Sequence, residues 1–135
     1  KIFKIVLIIG PFMKDKKILI IEDELSLARA LSAKLIDQGC DILEAKNGEE
    51  GLSMALDQHP DLILLDIIMP RMDGISMLKK LRVDDWGKDV PVIILSNLSD
   101  GDKSIDVVDG DISAYLVKSD WKIEDIVDKI KDTLK

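Results

Sequence analysis

From Lys17 onward, short apolar runs alternate with segments whose apolar residues recur at helical spacing, and neither a low-complexity linker nor an internal repeat interrupts them. That rhythm predicts a parallel sheet joined by crossover helices. The first strand is expected at Lys17 to Ile21. A first helix follows over roughly Leu25 to Gln38, where Leu27, Leu31 and Leu35 share a face and Gly39 supplies the stop. A weaker strand comes next at Asp41 to Ala45. Asn47, with Glu50 three residues on, then opens a helix as a capping box; Leu52, Ala55 and Leu56 form its stripe and His59-Pro60 ends it. The third strand, Leu62-Ile63-Leu64-Leu65, runs directly into Asp66. Ile75 to Leu81 reads as a short helix, and Val90 to Leu95 as a central strand covered on both faces. Asp100 to Asp111 has β-branched residues and two glycines, so the helix expected there has poor intrinsic propensity. Ala114 to Val117 makes a fifth strand. Asp120 is expected to cap a last helix with the apolar face Ile123, Ile126, Val127, Ile130 and Leu134.

Composition narrows the function classes. The 135 residues suit one domain with a full core. Nineteen basic against 26 acidic residues leave a net charge of -7, the wrong sign for direct contacts to nucleic acid. Cys40 is the sole cysteine, so there is neither an internal disulfide nor a CxxC motif, and a cytoplasmic location is expected. The apolar stretch Ile5 to Ile9 is too short to cross a bilayer and lacks a signal-cleavage pattern, which argues against a membrane role. Met13 precedes the lysine-rich Lys14-Asp15-Lys16-Lys17 and reads as a natural start. Residues 1–12 are therefore expected to be an appendage to a domain over 13–135, with an extra edge strand as the alternative.

In a doubly wound sheet, functional residues gather at the carboxyl ends of the strands. Glu22 and Asp23 follow the first strand, Asp66 the third, Ser96 the fourth and Lys118 the fifth. Carboxylates at the ends of buried strands are costly to desolvate, so their presence suggests a site that needs charge. Carboxylates ~4 Å apart repel by about 4 kcal/mol per pair at an effective dielectric of about 20, which calls for a divalent cation. Magnesium suits such oxygen ligands. Taken singly, each residue has a plainer reading. An acid after a strand commonly caps a helix, a lysine there is commonly solvated, and Tyr115 alone is a half-buried aromatic. Met69, Met72 and Met77 read as packing, His59 as a cap, Cys40 as a small core residue, and Trp86 and Trp121 as local packing. Asp84, Asp85, Lys88 and Asp89 read as a solvated loop. Neither GxGxxG nor a P-loop lysine is present, so nothing points to a nucleotide-binding enzyme.

Four segments carry a resemblance: Ile20-Ile21-Glu22-Asp23-Glu24, Asp66 followed by Met69-Pro70 and Met72-Asp73-Gly74, Leu95-Ser96, and Tyr115-Leu116-Val117-Lys118. In this order and spacing, over Lys17 to Leu134, the chain resembles the receiver domain of bacterial two-component response regulators. The resemblance implies a flavodoxin-like α/β fold, a five-stranded parallel sheet in the order 2-1-3-4-5 with helices on both faces. It implies that Asp66 accepts a phosphoryl group from a histidine kinase or phosphotransfer protein, as a signalling step rather than as a turnover enzyme. Magnesium is then held by Asp23 and Asp66 directly, by Glu22 through water or its longer reach, and by the backbone carbonyl of Ile68. Lys118 and Ser96 take phosphoryl oxygens, and Tyr115 switches rotamer on the face formed by Asp100 to Asp111, the fifth strand and the last helix. A downstream protein target and a phosphorylation-dependent dimer are the further partners implied.

Three departures qualify this picture. Ser119 stands where the family has a proline after a cis bond; before a non-proline residue cis costs about 2.5 to 4 kcal/mol, which favours a trans bond here. Asn97 replaces a smaller alanine and crowds the inward path of Tyr115, and Glu22 replaces an aspartate. The rival readings are a pseudo-receiver that is never phosphorylated and an aspartyl phosphatase, the latter lacking its second acid because Ile68 stands there. Ile68 and Leu98, both apolar beside the site, are expected to slow self-dephosphorylation.

Overall fold

The computed structural model describes residues 13–97 and 112–135. Its elements are β1 (Lys17–Ile21), α1 (Leu25–Asp37), β2 (Asp41–Ala45), α2 (Gly48–Gln58), β3 (Leu62–Leu65), α3 (Gly74–Arg82), β4 (Val92–Ser96), β5 (Ala114–Val117), a 3-10 turn (Lys118–Asp120) and α4 (Ile123–Leu134). The strands form one sheet in the order β2-β1-β3-β4-β5, and every neighbouring pair is parallel. This is the doubly wound arrangement expected above. The chain leaves β1 toward β2 on one side and comes back to β3 on the other, which opens a crevice at the carboxyl ends of β1 and β3.

Strand alternation sorts the core into two layers. Ile18, Ile20, Leu62, Leu64, Ile93 and Leu95 face Ala28, Leu31 and Leu35 of α1 and Ile126, Val127 and Ile130 of α4. Leu19, Ile21, Ile63, Leu65, Val92 and Ile94 face Ala55 of α2 and Met77, Leu78 and Leu81 of α3. Because both faces are covered, β1, β3 and β4 are apolar at consecutive positions rather than alternating. Each such fully buried aliphatic side chain contributes about 1.5 to 3 kcal/mol of transfer free energy, so the three central strands form a stiff platform.

The helix ends follow local chemistry. Asn47 accepts a hydrogen bond from the Glu50 N–H at 2.8 Å. Asn47→Ala should lower the unfolding free energy by about 1 kcal/mol, read as a lower urea midpoint at unchanged slope, while Asn47→Asp should retain most of it. Gly39 ends α1 with φ 92° and donates its N–H to the Ile36 carbonyl at 2.9 Å. His59 ends α2 in the left-handed region at φ 48°, and its ring stacks on Trp86 with centroids 4.3 Å apart.

Several expectations need correction. Leu27, Leu31 and Leu35 of α1 do share the face that packs on the core, but Leu27 is only partly covered, and Ala28 and Ser32, outside the expected stripe, are buried. Leu56 of α2 is 38% exposed rather than buried. The strand β4 begins at Val92; Val90 is buried ahead of it, and Pro91, which has no N–H, contributes its carbonyl to the Ile63 N–H at 3.0 Å. Asp120 does not cap the last helix. It lies in the 3-10 turn, Trp121 packs against the core beneath, and α4 begins after Lys122 without a side-chain cap. Asp84 is not simply solvated: its carboxylate accepts the N–H groups of Trp86 at 3.0 Å and Gly87 at 2.8 Å. Arg82 Nη1 closes the same turn on the carbonyls of Gly87 and Val90, at 2.7 and 2.8 Å. The helix expected over 100–111 and the appendage expected over 1–12 lie outside the described residues.

Candidate functional site

Backbone pairing continues one residue past each central strand. The Glu22 N–H donates to the Ala45 carbonyl and the Asp66 N–H to the Ile21 carbonyl, each at 3.0 Å. These bonds hold two acids at the same rim of the sheet. Glu22, Asp23 and Asp66 each offer a carboxylate oxygen within 4.8 Å of the others. Glu22 and Asp66 are buried, whereas Asp23 faces solvent.

Both buried carboxylates are satisfied in the same way. One oxygen takes a backbone N–H from two residues on, Glu24 N–H to Glu22 Oε2 at 3.1 Å and Ile68 N–H to Asp66 Oδ1 at 3.3 Å. The other oxygen faces Lys118 Nζ, at 2.6 Å from Glu22 Oε1 and 3.3 Å from Asp66 Oδ2. Glu24 Oε2 lies 3.6 Å from the same ammonium. A cavity of about 220 Å³ opens above, lined by Asp23, Glu24, Asp66, Ile68, Ser96, Asn97 and Lys118. Ser96 is fully buried at the end of β4, paired in register with Val117 of β5. Tyr115 is half-buried on β5, packed against the layer that contains Ile94 and Met77 rather than lining the cavity.

The charge balance explains the titration of the site. Burial pushes Glu22 up to about 7, against the opposing pull of the Lys118 and Glu24 hydrogen bonds, with the Asp66 charge adding to the rise. Burial works against the Lys118 ammonium, yet the Glu22 hydrogen bond and the charges of Asp66 and Glu22 outweigh it and hold Lys118 above its ordinary value. Among the described residues, one lysine thus stands against four acids, Glu22, Asp23, Glu24 and Asp66. Their oxygens are the donor type that magnesium prefers, so this set fits such a cation.

A pH test follows from Glu22. The folded, cation-free protein holds the Glu22 proton more tightly than an ordinary glutamate, which titrates at 4.5. The stability this group contributes is complete below 4.5 and is lost as the pH rises through about 7. Magnesium that binds the ionised cluster should therefore raise Tm more at about pH 8 than at about pH 5.5, where the proton competes. Equal shifts at both pH values would uncouple Glu22 from the cation.

The structure brings Glu22, Asp23, Asp66, Ser96, Lys118 and Ile68 to one crevice, as the sequence order suggested. Ile68 is 58% exposed at the mouth, and Leu98 lies outside the described residues. No cis peptide occurs among the described residues, so the Lys118–Ser119 bond is trans, and Lys118 nevertheless reaches Asp66. Glu24 is the residue whose part was missed. An acid just before a helix reads as a cap, but the Glu24 side chain makes no capping hydrogen bond and stands beside Lys118 instead.

This fold and acidic crevice define a receiver. The family model for the response regulator receiver domain matches residues 18–131, and the chain belongs to that family. A probable transcriptional regulator, ycf27 of Porphyridium aerugineum, is 40% identical over 106 residues, which is 78% of this chain and 43% of that protein. The receiver domain of the Francisella response regulator 1452 superposes with a TM-score of 0.77 at 31% identity, covering 89% of this chain and 96% of that one. The response regulator TrrA of Thermotoga maritima, solved in complex with Mg(2+)-BeF, gives 0.73 at 31% identity over 87% of this chain and 97% of that one. The chain spans about half the length of the curated relatives it matches. Among the described residues, no helix is long and apolar enough to cross a membrane.

Proposed function

We propose that the chain is a phosphoacceptor signalling module in which Asp66 takes a phosphoryl group from a histidine kinase or phosphotransfer protein. One observation carries this reading: a buried carboxylate, Asp66, clusters with Glu22 and Asp23 and opens on a cavity shared with Lys118 and the buried Ser96. Glu22, Asp23, Asp66 and the Ile68 carbonyl would hold magnesium, which would supply positive charge to offset the acids and the arriving phosphoryl oxygens. Asp66 Oδ2 attacks phosphorus as a carboxylate nucleophile, and the bond to the donor atom breaks with its electron pair leaving on the donor. Lys118, already 3.3 Å from Asp66, follows the new charge, and its compact ammonium suits an oxygen that must come and go.

Ser96 contributes its hydroxyl to a second phosphoryl oxygen. Drawing Ser96 inward pulls the end of β4 against β5, which carries Tyr115 one register position from the Leu95–Leu116 pair. Tyr115 is thereby placed to report the modification to a protein target by a change of rotamer. The module works as a switch rather than as a turnover enzyme.

The test is incubation with acetyl phosphate and magnesium, read by intact mass. Gain of a single phosphoryl group, lost when the cation is chelated, supports the reading. No gain with either acetyl phosphate or phosphoramidate identifies a pseudo-receiver that keeps the fold without the chemistry.

A further inference from the structure

Glu24 has no place in the chemistry described so far, yet it stands at the entrance to it. Its backbone N–H is tied to Glu22 Oε2 at 3.1 Å, and this fixes where its side chain departs. It occupies the N-terminal boundary of α1 without capping it. Its carboxylate lines the cavity that contains Asp66 and lies 3.6 Å from Lys118 Nζ, with its side chain 56% exposed. Among the described residues, Lys118 is the sole cation lining that cavity, and its ammonium stands against Glu22, Glu24 and Asp66.

We propose that Glu24 selects the phosphodonor: its carboxylate at the mouth of the cavity, drawing on the Lys118 ammonium, disfavours free multiply charged anions and favours a donor that brings a cation beside its phosphoryl group. The inference rests on the phosphoacceptor reading above. A free acyl phosphate must bring its charge past Glu24 before Asp66 can form the new oxygen–phosphorus bond and the carboxylate can leave with its electron pair. Glu24 repels that anion on approach and competes with it for Lys118. A protein donor can present a lysine or arginine that pairs with Glu24, and the same carboxylate then helps docking.

The experiment compares second-order phosphorylation rates of wild type, Glu24→Gln, Glu24→Asp and Glu24→Lys, in saturating magnesium, with acetyl phosphate and with the less charged phosphoramidate. Glu24→Gln should accelerate acetyl phosphate by about threefold or more at low salt, and Glu24→Lys further still. Phosphoramidate should gain less, Glu24→Asp should behave as wild type, and the acetyl phosphate advantage should shrink at about 0.5 M salt. A helix-end role alone would change thermal stability without changing donor preference or salt dependence. Equal rates for wild type and Glu24→Gln with both donors overturn the proposal while leaving Asp66 as acceptor. Failure of wild type to be labelled by either donor overturns both.

Discussion

Replacing Asp66 by asparagine is expected to abolish phosphoryl uptake from acetyl phosphate and, at the same time, the thermal stabilisation by magnesium. Asparagine keeps the shape and can still accept the Ile68 N–H that Asp66 Oδ1 accepts at 3.3 Å. It cannot act as an anionic nucleophile, so no covalent adduct forms. The stability effect has a sign that the distances decide. At an effective dielectric of about 20, two acids at the outer limit of this cluster repel by about 3 kcal/mol, and Asp66 has two such neighbours within 4.8 Å. Its attraction to Lys118 at 3.3 Å is about 5 kcal/mol on the same scale, part of which the amide oxygen retains. Without magnesium, Asp66→Asn should therefore melt at or above the wild-type temperature near pH 8. Intact mass and thermal unfolding, each with and without magnesium, check both halves. A variant still labelled would place the acceptor elsewhere, and one that melts much lower would show Asp66 to be a structural ion-pair partner.

Gly74→Ala is the second large effect. A Cβ added at Gly74 would lie 2.3 Å from the Asp66 carbonyl oxygen and 2.8 Å from the Ile67 Cα. Both are backbone atoms and cannot swing aside. The Gly74 N–H also donates to the Ile67 carbonyl at 2.8 Å, closing the loop that follows the acceptor. Alanine is the better helix former, yet here overpacking of about 1 to 3 kcal/mol outweighs a propensity gain of about 1 kcal/mol or less at this first helical position. The strain acts on the peptide that carries Asp66. The expected result is a lower denaturant midpoint together with a reduced magnesium response and slower acetyl phosphate labelling. Wild-type stability with normal labelling would mean that the loop and Asp66 do not approach as closely as this.

Much of the fold was legible because buried parallel strands leave a strong mark. Ile18 to Ile21, Leu62 to Leu65 and Val92 to Leu95 are apolar at consecutive positions since helices cover both faces. Helix ends were less legible. Asp120 looked like a cap, but the chain must first make a tight turn after Lys118 and seat Trp121, so the helix begins later. Asp84 looked like surface charge because its partners are backbone N–H groups, which leave no trace in residue type. Glu24 was obscured for a related reason. Its neighbour Lys118 is remote in sequence, and the short acidic run gives no sign of which carboxylate faces which cation.

The sequence by itself determined a parallel sheet covered by helices on both faces and the set of acids, serine and lysine at the strand ends, because periodicity and position relative to a strand end are local properties; the order 2-1-3-4-5 came from the resemblance to receiver domains and is seen in the fold. Only the tertiary structure decided that Lys118 sits closer to Glu22 than to Asp66, that Glu24 joins them, and that Gly74 packs on the acceptor's own carbonyl. Those facts depend on ångström-scale distances between segments far apart in the chain, and electrostatic and steric energies change steeply over that range.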